Sequence, residues 1–187
     1  PKFSKKDIID IAYEIVKEEG MDAINARRIA SAIGCSVQPI YSYCKNMEEL
    51  RQDVAIQVKC FIKEYLASHL DKKDPFRSTG QAYIQLTKEE PHLFKIFILH
   101  KRNGISSLED LYQTEADEQI PIFLSQHFNI SITQAKQLHL DMLIYTIGIG
   151  TIFSVTTPGI SSDEILAQQE RIYQILIKNI LEGNHES

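Results

Sequence analysis

Apolar residues in this chain recur at spacings of three and four almost everywhere, while the every-second-residue alternation of a half-buried strand is nearly absent. That periodicity restricts the chain to helices packed on helices. Ile8, Ile11, Ala12, Ile15 and Val16 open the series, and Ile165, Leu166, Gln169, Ile172, Tyr173, Leu176, Ile180 and Leu181 close it. Eight Gly and six Pro in 187 residues leave long segments uninterrupted. With 43% hydrophobic residues, the chain can bury one sizeable core, or a larger core with a small module attached. The expected fold class is all-α, with about nine helices.

Capping residues punctuate the helices. Ser4 and Asp7 form a capping-box pattern ahead of the first apolar run, which Gly20 ends. Asn25 can cap a short second helix whose buried face carries Ile29, Ala30 and Ile33, and Gly34 supplies the left-handed position that stops it. Ser36 is expected to cap a third helix over 37–44 by accepting from the N–H of Gln38, with Pro39 in the first turn where N–H donors have no intrahelical partner. Ile40 and Cys44 would then point inward. Asn46 and Glu49 open a long fourth helix through Leu66 that ends near Lys72 to Pro75. Five further helices are expected at 76–89, 91–102, 107–128, 131–156 and 162–182, with Pro91 at an N1 position and Ser131/Gln134 and Ser161/Glu164 as start signals. No Gly/Ser linker interrupts the run, so the fourth helix itself is expected to join a module of residues 1–47 to a larger domain of residues 48–187.

Two short helices joined by a tight Gly-containing turn and supported by a preceding helix match the helix-turn-helix unit. Such a unit works because the major groove admits one α-helix, whose N-terminal residues reach the base edges. Here those residues are Val37, Gln38 and Pro39. The Gln38 amide can contact adenine through two hydrogen bonds, and Val37 and Pro39 can pack on thymine methyls. Tyr41, Tyr43 and Lys45 can reach phosphates, as can Arg27 and Arg28 early in the second helix. The formal net charge of −5 looks adverse to DNA binding, but it is unevenly spread. Asp7 to Asp22 holds six acids and one Lys, whereas Ala23 to Met47 holds three cations and no acid, and Lys2, Lys5 and Lys6 add a second positive cluster. Ordinary solvated charges would give the same distribution, and tyrosines at this spacing also serve as packing residues.

The segment from Ile24 to Leu50, INARRIASAIGCSVQPIYSYCKNMEEL, resembles the DNA-binding module of the tetracycline-repressor (TetR) family. The shared features are Ile29, Ala30 and Gly34 ending the second helix, Ser36 after it, Ile40-Tyr41, Tyr43, Lys45-Asn46 and Glu49-Leu50. With the first helix the resemblance covers residues 8–50. It implies a homodimer that binds a double-stranded, palindromic DNA operator and acts as a transcription regulator, more often a repressor, with a C-terminal domain whose small-molecule effector causes release. It also implies that Asn25, Arg27 and Arg28 lie near the DNA, with Ser36, Val37, Gln38 and Pro39 at bases and Tyr41, Tyr43 and Lys45 at phosphates. Three positions depart from the family pattern: Met47 replaces a common phosphate-contacting Lys, Cys44 a usual Phe, and Gln38 a frequent Gly.

For the larger domain, the family implies a dimer interface built from the last two long helices, and the apolar stripe of 165–181 permits it. An aromatic-rich segment with Phe94 and Phe97 can face Tyr112, Phe123, Met142 and Tyr145, which makes these six residues candidates for an apolar effector site or simply core. No cofactor or metal is expected. His69, His92, His100, His127, His139 and His185 show no metal-site spacing, no Gly-rich phosphate loop is present, and no nucleophile–base pair stands out for an all-α enzyme. Cys35, Cys44 and Cys60 form an odd set that fits a reducing cytoplasm, with redox sensing as an alternative. The apolar stretch from Met142 to Val155 is only 14 residues, which favours a buried helix over a membrane span. A DNA-binding adaptor controlled by a partner protein remains open alongside the effector-controlled regulator.

Overall fold

The computed structural model describes residues 3–155 and 160–183; Lys2 and His185 lie outside them. The described residues form ten α-helices, one 3-10 turn at Met21–Ala23 and no strand: α1 Lys5–Glu19, α2 Ala26–Ile33, α3 Gln38–Tyr43, α4 Met47–Ser68, α5 Pro75–Glu89, α6 Pro91–Ile98, α7 Leu108–Glu115, α8 Gln119–Phe128, α9 Ile132–Val155 and α10 Ser162–Gly183. Capping accounts for most of the boundaries. Ser4 and Asp7 exchange side-chain and backbone bonds in a full capping box at α1, as do Ser131 and Gln134 at α9. Ser161 Oγ accepts from Glu164 N–H at 3.2 Å at the start of α10.

Three boundaries differ most from the sequence expectation, the simplest being that the helix expected over 91–102 ends at Ile98. The single helix expected over 107–128 is two, because Pro121 has no N–H to bond the carbonyl of residue 117 and can sit only in a first turn. Ala116 is extended (φ −82°, ψ 146°) and Asp117 Oδ1 accepts from Gln119 N–H at 2.8 Å, so α8 restarts there. The fourth helix ends at Ser68, short of 72–75. Beyond it, Asp71 Oδ1 accepts from Lys73 N–H at 2.8 Å and Asp74 Oδ1 from Arg77 N–H at 3.1 Å, a local side-chain arrangement that competes with further helix.

The helices fall into two compact units. The first comprises the chain through Tyr65 together with Glu90–His100, and the second Leu66–Glu89 together with the chain from Lys101. The division therefore lies inside α4, later than the boundary expected at 47/48, and α6 belongs with the N-terminal helices. Within the first unit α6 packs on α1. Lys17 pairs with Glu90 at 2.9 Å, and Gly20 (φ 88°) lies so close to His92 that a Cβ there would meet Nδ1 at 3.2 Å. Gly is thus favoured at 20 by backbone conformation and by space. Ile8, Ala12, Val16, Ile29, Ile40, Leu50 and Val54 are fully or almost fully buried in this unit.

The second unit is centred on α9, which packs against α5, α8 and α10. Phe76, Leu124, Leu138, Met142, Tyr173 and Ile177 belong to one buried cluster. Among the described residues, α9 is the one helix that is long and apolar enough to cross a membrane by length and composition, a property the 14-residue stretch alone did not suggest. Its exposed large apolar residues are Ile132 at its start and, on the same face as Gly148, Ile144, Ile152 and Val155; a Cβ at Gly148 would meet open space.

Candidate nucleic-acid interface

Asn25 Oδ1 accepts from Arg28 N–H at 3.0 Å and starts α2. At the other end, Gly34 adopts φ 78°, ψ 41°, its N–H reaches Ser31 O, and Cys35 N–H reaches Ala30 O at 2.9 Å. This pair of bonds satisfies carbonyls that a helix end leaves open, and it turns the chain directly into α3. Ser36 does not provide the expected cap. Val37 takes that place with helical dihedrals and no side-chain hydrogen bond, so α3 is a six-residue helix with Pro39 in its first turn. The turn inherits its geometry from Gly34, leaving the Ser36 side chain exposed.

Ile40 and Cys44 are buried as the spacing predicts, and burial pushes the Cys44 thiol pKa up, which disfavours the reactive thiolate. Gln38, Tyr41 and Ser42 stand exposed, Tyr41 by 53%, with Ser42 Oγ donating to Gln38 O at 3.2 Å. Val37, Pro39 and Tyr43 are half-buried, and the Tyr43 ring leans against Phe3 with centroids 6.0 Å apart. Exposed Asn25, Arg27 and Arg28 lie at the start of α2, and exposed Lys45 follows α3.

The cations are less available than their sequence suggests. Arg28 forms an ion pair with Glu19. Lys5 reaches Glu49 at 3.1 Å and Asp53 at 2.8 Å, and is therefore not a free member of a positive N-terminal cluster. Glu49 is doubly engaged, since its second oxygen accepts from Lys45 N–H at 2.8 Å while Asn46 Oδ1 accepts from Glu49 N–H at 2.8 Å. Sequence reasoning saw the Asn46 cap but missed these partners. The available signal was Lys5 itself, a cation in the first turn of a helix, where the macrodipole disfavours it unless anions are near.

No family model matches the chain. Two curated relatives, the class D tetracycline repressor protein of Escherichia coli and the class H protein of Photobacterium damsela subsp. piscicida, are each 24% identical over 103 residues, 55% of this chain. The match spans 43% of the length of each relative. Among solved structures, a TetR-like transcriptional regulator from Rhodococcus sp. RHA1 superimposes with TM-score 0.61 at 10% identity, covering 90% of this chain and 92% of that one. TetR-Q116A from Acinetobacter baumannii AYE, solved with minocycline, superimposes with TM-score 0.53 at 15% identity over 98% of this chain and 97% of that one. The chain is TetR-like in sequence and in fold.

The candidate effector residues of this TetR-like chain divide between its two units. Phe94, buried, and Phe97, half-buried, lie on α6 in the first. Tyr112, Phe123, Met142 and Tyr145 lie in the second, where Met142 is part of the buried cluster and Phe123 and Tyr145 pack on it. Tyr112 is hydrogen-bonded to His139, with Tyr112 Oη and His139 Nδ1 2.9 Å apart. His139 also meets the Phe76 ring edge-on at 5.9 Å, and burial lowers its pKa to about 4. A second buried polar pair joins Gln169 Nε2, which donates to Thr146 Oγ1 at 2.9 Å. Gly80 makes room for it, since a Cβ there would stand 3.0 Å from that nitrogen. Histidine spacing in the sequence bears on metal sites and says nothing about a lone buried imidazole. Among the described residues, no group of three or more His, Cys, Asp and Glu side chains is placed to hold a metal ion.

Proposed function

We propose that this chain is a sequence-specific DNA-binding transcription regulator that acts as a homodimer on a palindromic operator. The observation that carries the reading is the α2–Gly34–α3 unit, which displays Gln38, Tyr41 and Ser42 on the open face of a short helix in a TetR-like fold. Gln38 reads a base edge, Val37 and Pro39 contact methyl groups, and Tyr41, Tyr43, Arg27, Arg28 and Lys45 engage phosphates. Dimerisation uses α9 and α10. Ile144, Gly148 and Ile152 recur every four residues on α9 and are exposed, and the small Gly lets a facing backbone approach. Repression is relieved when an apolar effector occupies the second unit and shifts α4, changing the separation of the paired recognition helices.

The test is selection from a pool of randomised 30-base-pair duplexes followed by mobility shift at several salt concentrations (an insert of about three helical turns spans two half-sites). Enrichment of a palindrome whose binding Gln38→Ala weakens supports the reading. Retention of no sequence, or retention that ignores salt, rejects it. A second reading is a regulator controlled by a partner protein, favoured by the packing of Phe123, Met142 and Tyr145 into one cluster. Native mass spectrometry of the purified protein discriminates between them, a co-purified small molecule favouring the effector. Minocycline, bound by the Acinetobacter protein, is a first probe.

A further inference from the structure

The joint between α3 and α4 has little slack. Cys44 N–H closes α3 on Ile40 O at 3.0 Å, and only Cys44, Lys45 and Asn46 precede the first residue of α4. Within that short connection Glu49 binds Lys45 N–H through one carboxylate oxygen and Lys5 Nζ through the other. Asn46 caps Glu49 in return. Lys5, the first residue of α1, also reaches Asp53 one turn further along α4. The end of the recognition helix, the first turn of α4 and the start of α1 thus meet at one carboxylate.

We propose that Lys5 and Glu49 are positioning residues for DNA binding, which hold the α3–α4 joint against α1 and so set the approach of the recognition helix without themselves touching phosphate. The inference rests on the DNA-binding reading given above. It opposes the plain electrostatic expectation for both residues. A free Lys5 beside the interface would contribute a phosphate contact and its share of the salt dependence, and Glu49 would repel DNA. A bound Lys5 contributes neither, and Glu49 favours binding although it is an acid on a DNA-facing module.

The sign of one substitution separates the two views. Removing a negative charge near DNA by Glu49→Gln strengthens binding if only charge matters, whereas loss of the joint weakens it, because the amide cannot pair with the Lys5 ammonium as the carboxylate does. Binding is measured on the palindrome selected from the random pool, and melting temperatures are recorded alongside. The expected result is a loss of about tenfold in affinity for Glu49→Gln and for Lys5→Met, with the double variant no worse than either single one and the log–log salt slope unchanged. Lys5→Arg keeps the ion pair and restores most of the affinity. The inference is overturned if Glu49→Gln binds more tightly than the parent, if Lys5→Met lowers the slope by about one per subunit as a lost phosphate contact does, or if the losses add. It is also overturned if Lys5→Arg binds as poorly as Lys5→Met while melting like the parent. If the parent chain itself selects no duplex, the DNA-binding reading has failed, and the inference falls with it.

Discussion

At the scale of single residues, His139 and Arg28 meet partners of which their sequence neighbours give no hint. His139 is neutral in a buried aromatic setting, with a pKa lowered to about 4 from an ordinary 6.5. Between those values the unfolded chain binds a proton that the native chain does not, so native stability falls as pH falls from 6.5 towards 4, by up to about 3 kcal/mol from this group, and is unaffected by it above that window. Urea titrations at pH 7 and pH 5 should show the loss, and His139→Gln should flatten the dependence while lowering stability at pH 7. Arg28 is altered by a partner in another way, since Glu19 forms an ion pair with it. Glu19→Gln should release it, raising DNA affinity and steepening the salt slope by about one per subunit. An unchanged slope would mean that Arg28 never reaches phosphate.

At the scale of elements, the turn between α2 and α3 decides where α3 points. Gly34 is left-handed with no atom near its missing Cβ, so Gly34→Ala meets only a backbone penalty of about 1 kcal/mol. A modest drop in melting temperature with a larger loss of DNA binding is expected, because the strain acts where α3 is oriented. A drop in stability alone would place the orientation of α3 elsewhere. The same turn was legible in the sequence through Gly34 and Asn25, but Ser36 was not a guide. A serine at that position is consistent with a cap, and only the dihedrals of Val37 show that the helix begins without one. Likewise, Pro121 and the largely polar stretch from Gln113 to Gln119 before it both mark the α7–α8 break in the sequence.

At the scale of the whole molecule, the apolar face of α9 is one that the single chain leaves uncovered. If it pairs with a second copy, replacing Ile144 and Ile152 together by Glu should give a monomer by light scattering, since buried unpaired carboxylates are strongly unfavourable. DNA affinity should then fall by more than tenfold, because one subunit reads one half-site and makes half the phosphate contacts. A double variant that stays dimeric would move the interface to another surface.

The sequence by itself determined the helical class, the caps of half the helices and the α2–α3 unit with its outward residues, because each depends on contacts within four residues of chain. What only the tertiary structure decided are pairings across distance. These are the return of α6 to the N-terminal unit, Lys5 with Glu49 and Asp53, Tyr112 with His139, and Gln169 with Thr146 beside Gly80. A charged or polar side chain carries no local mark of the partner it will meet, and the partner fixes whether it faces DNA, a neighbouring helix or the core.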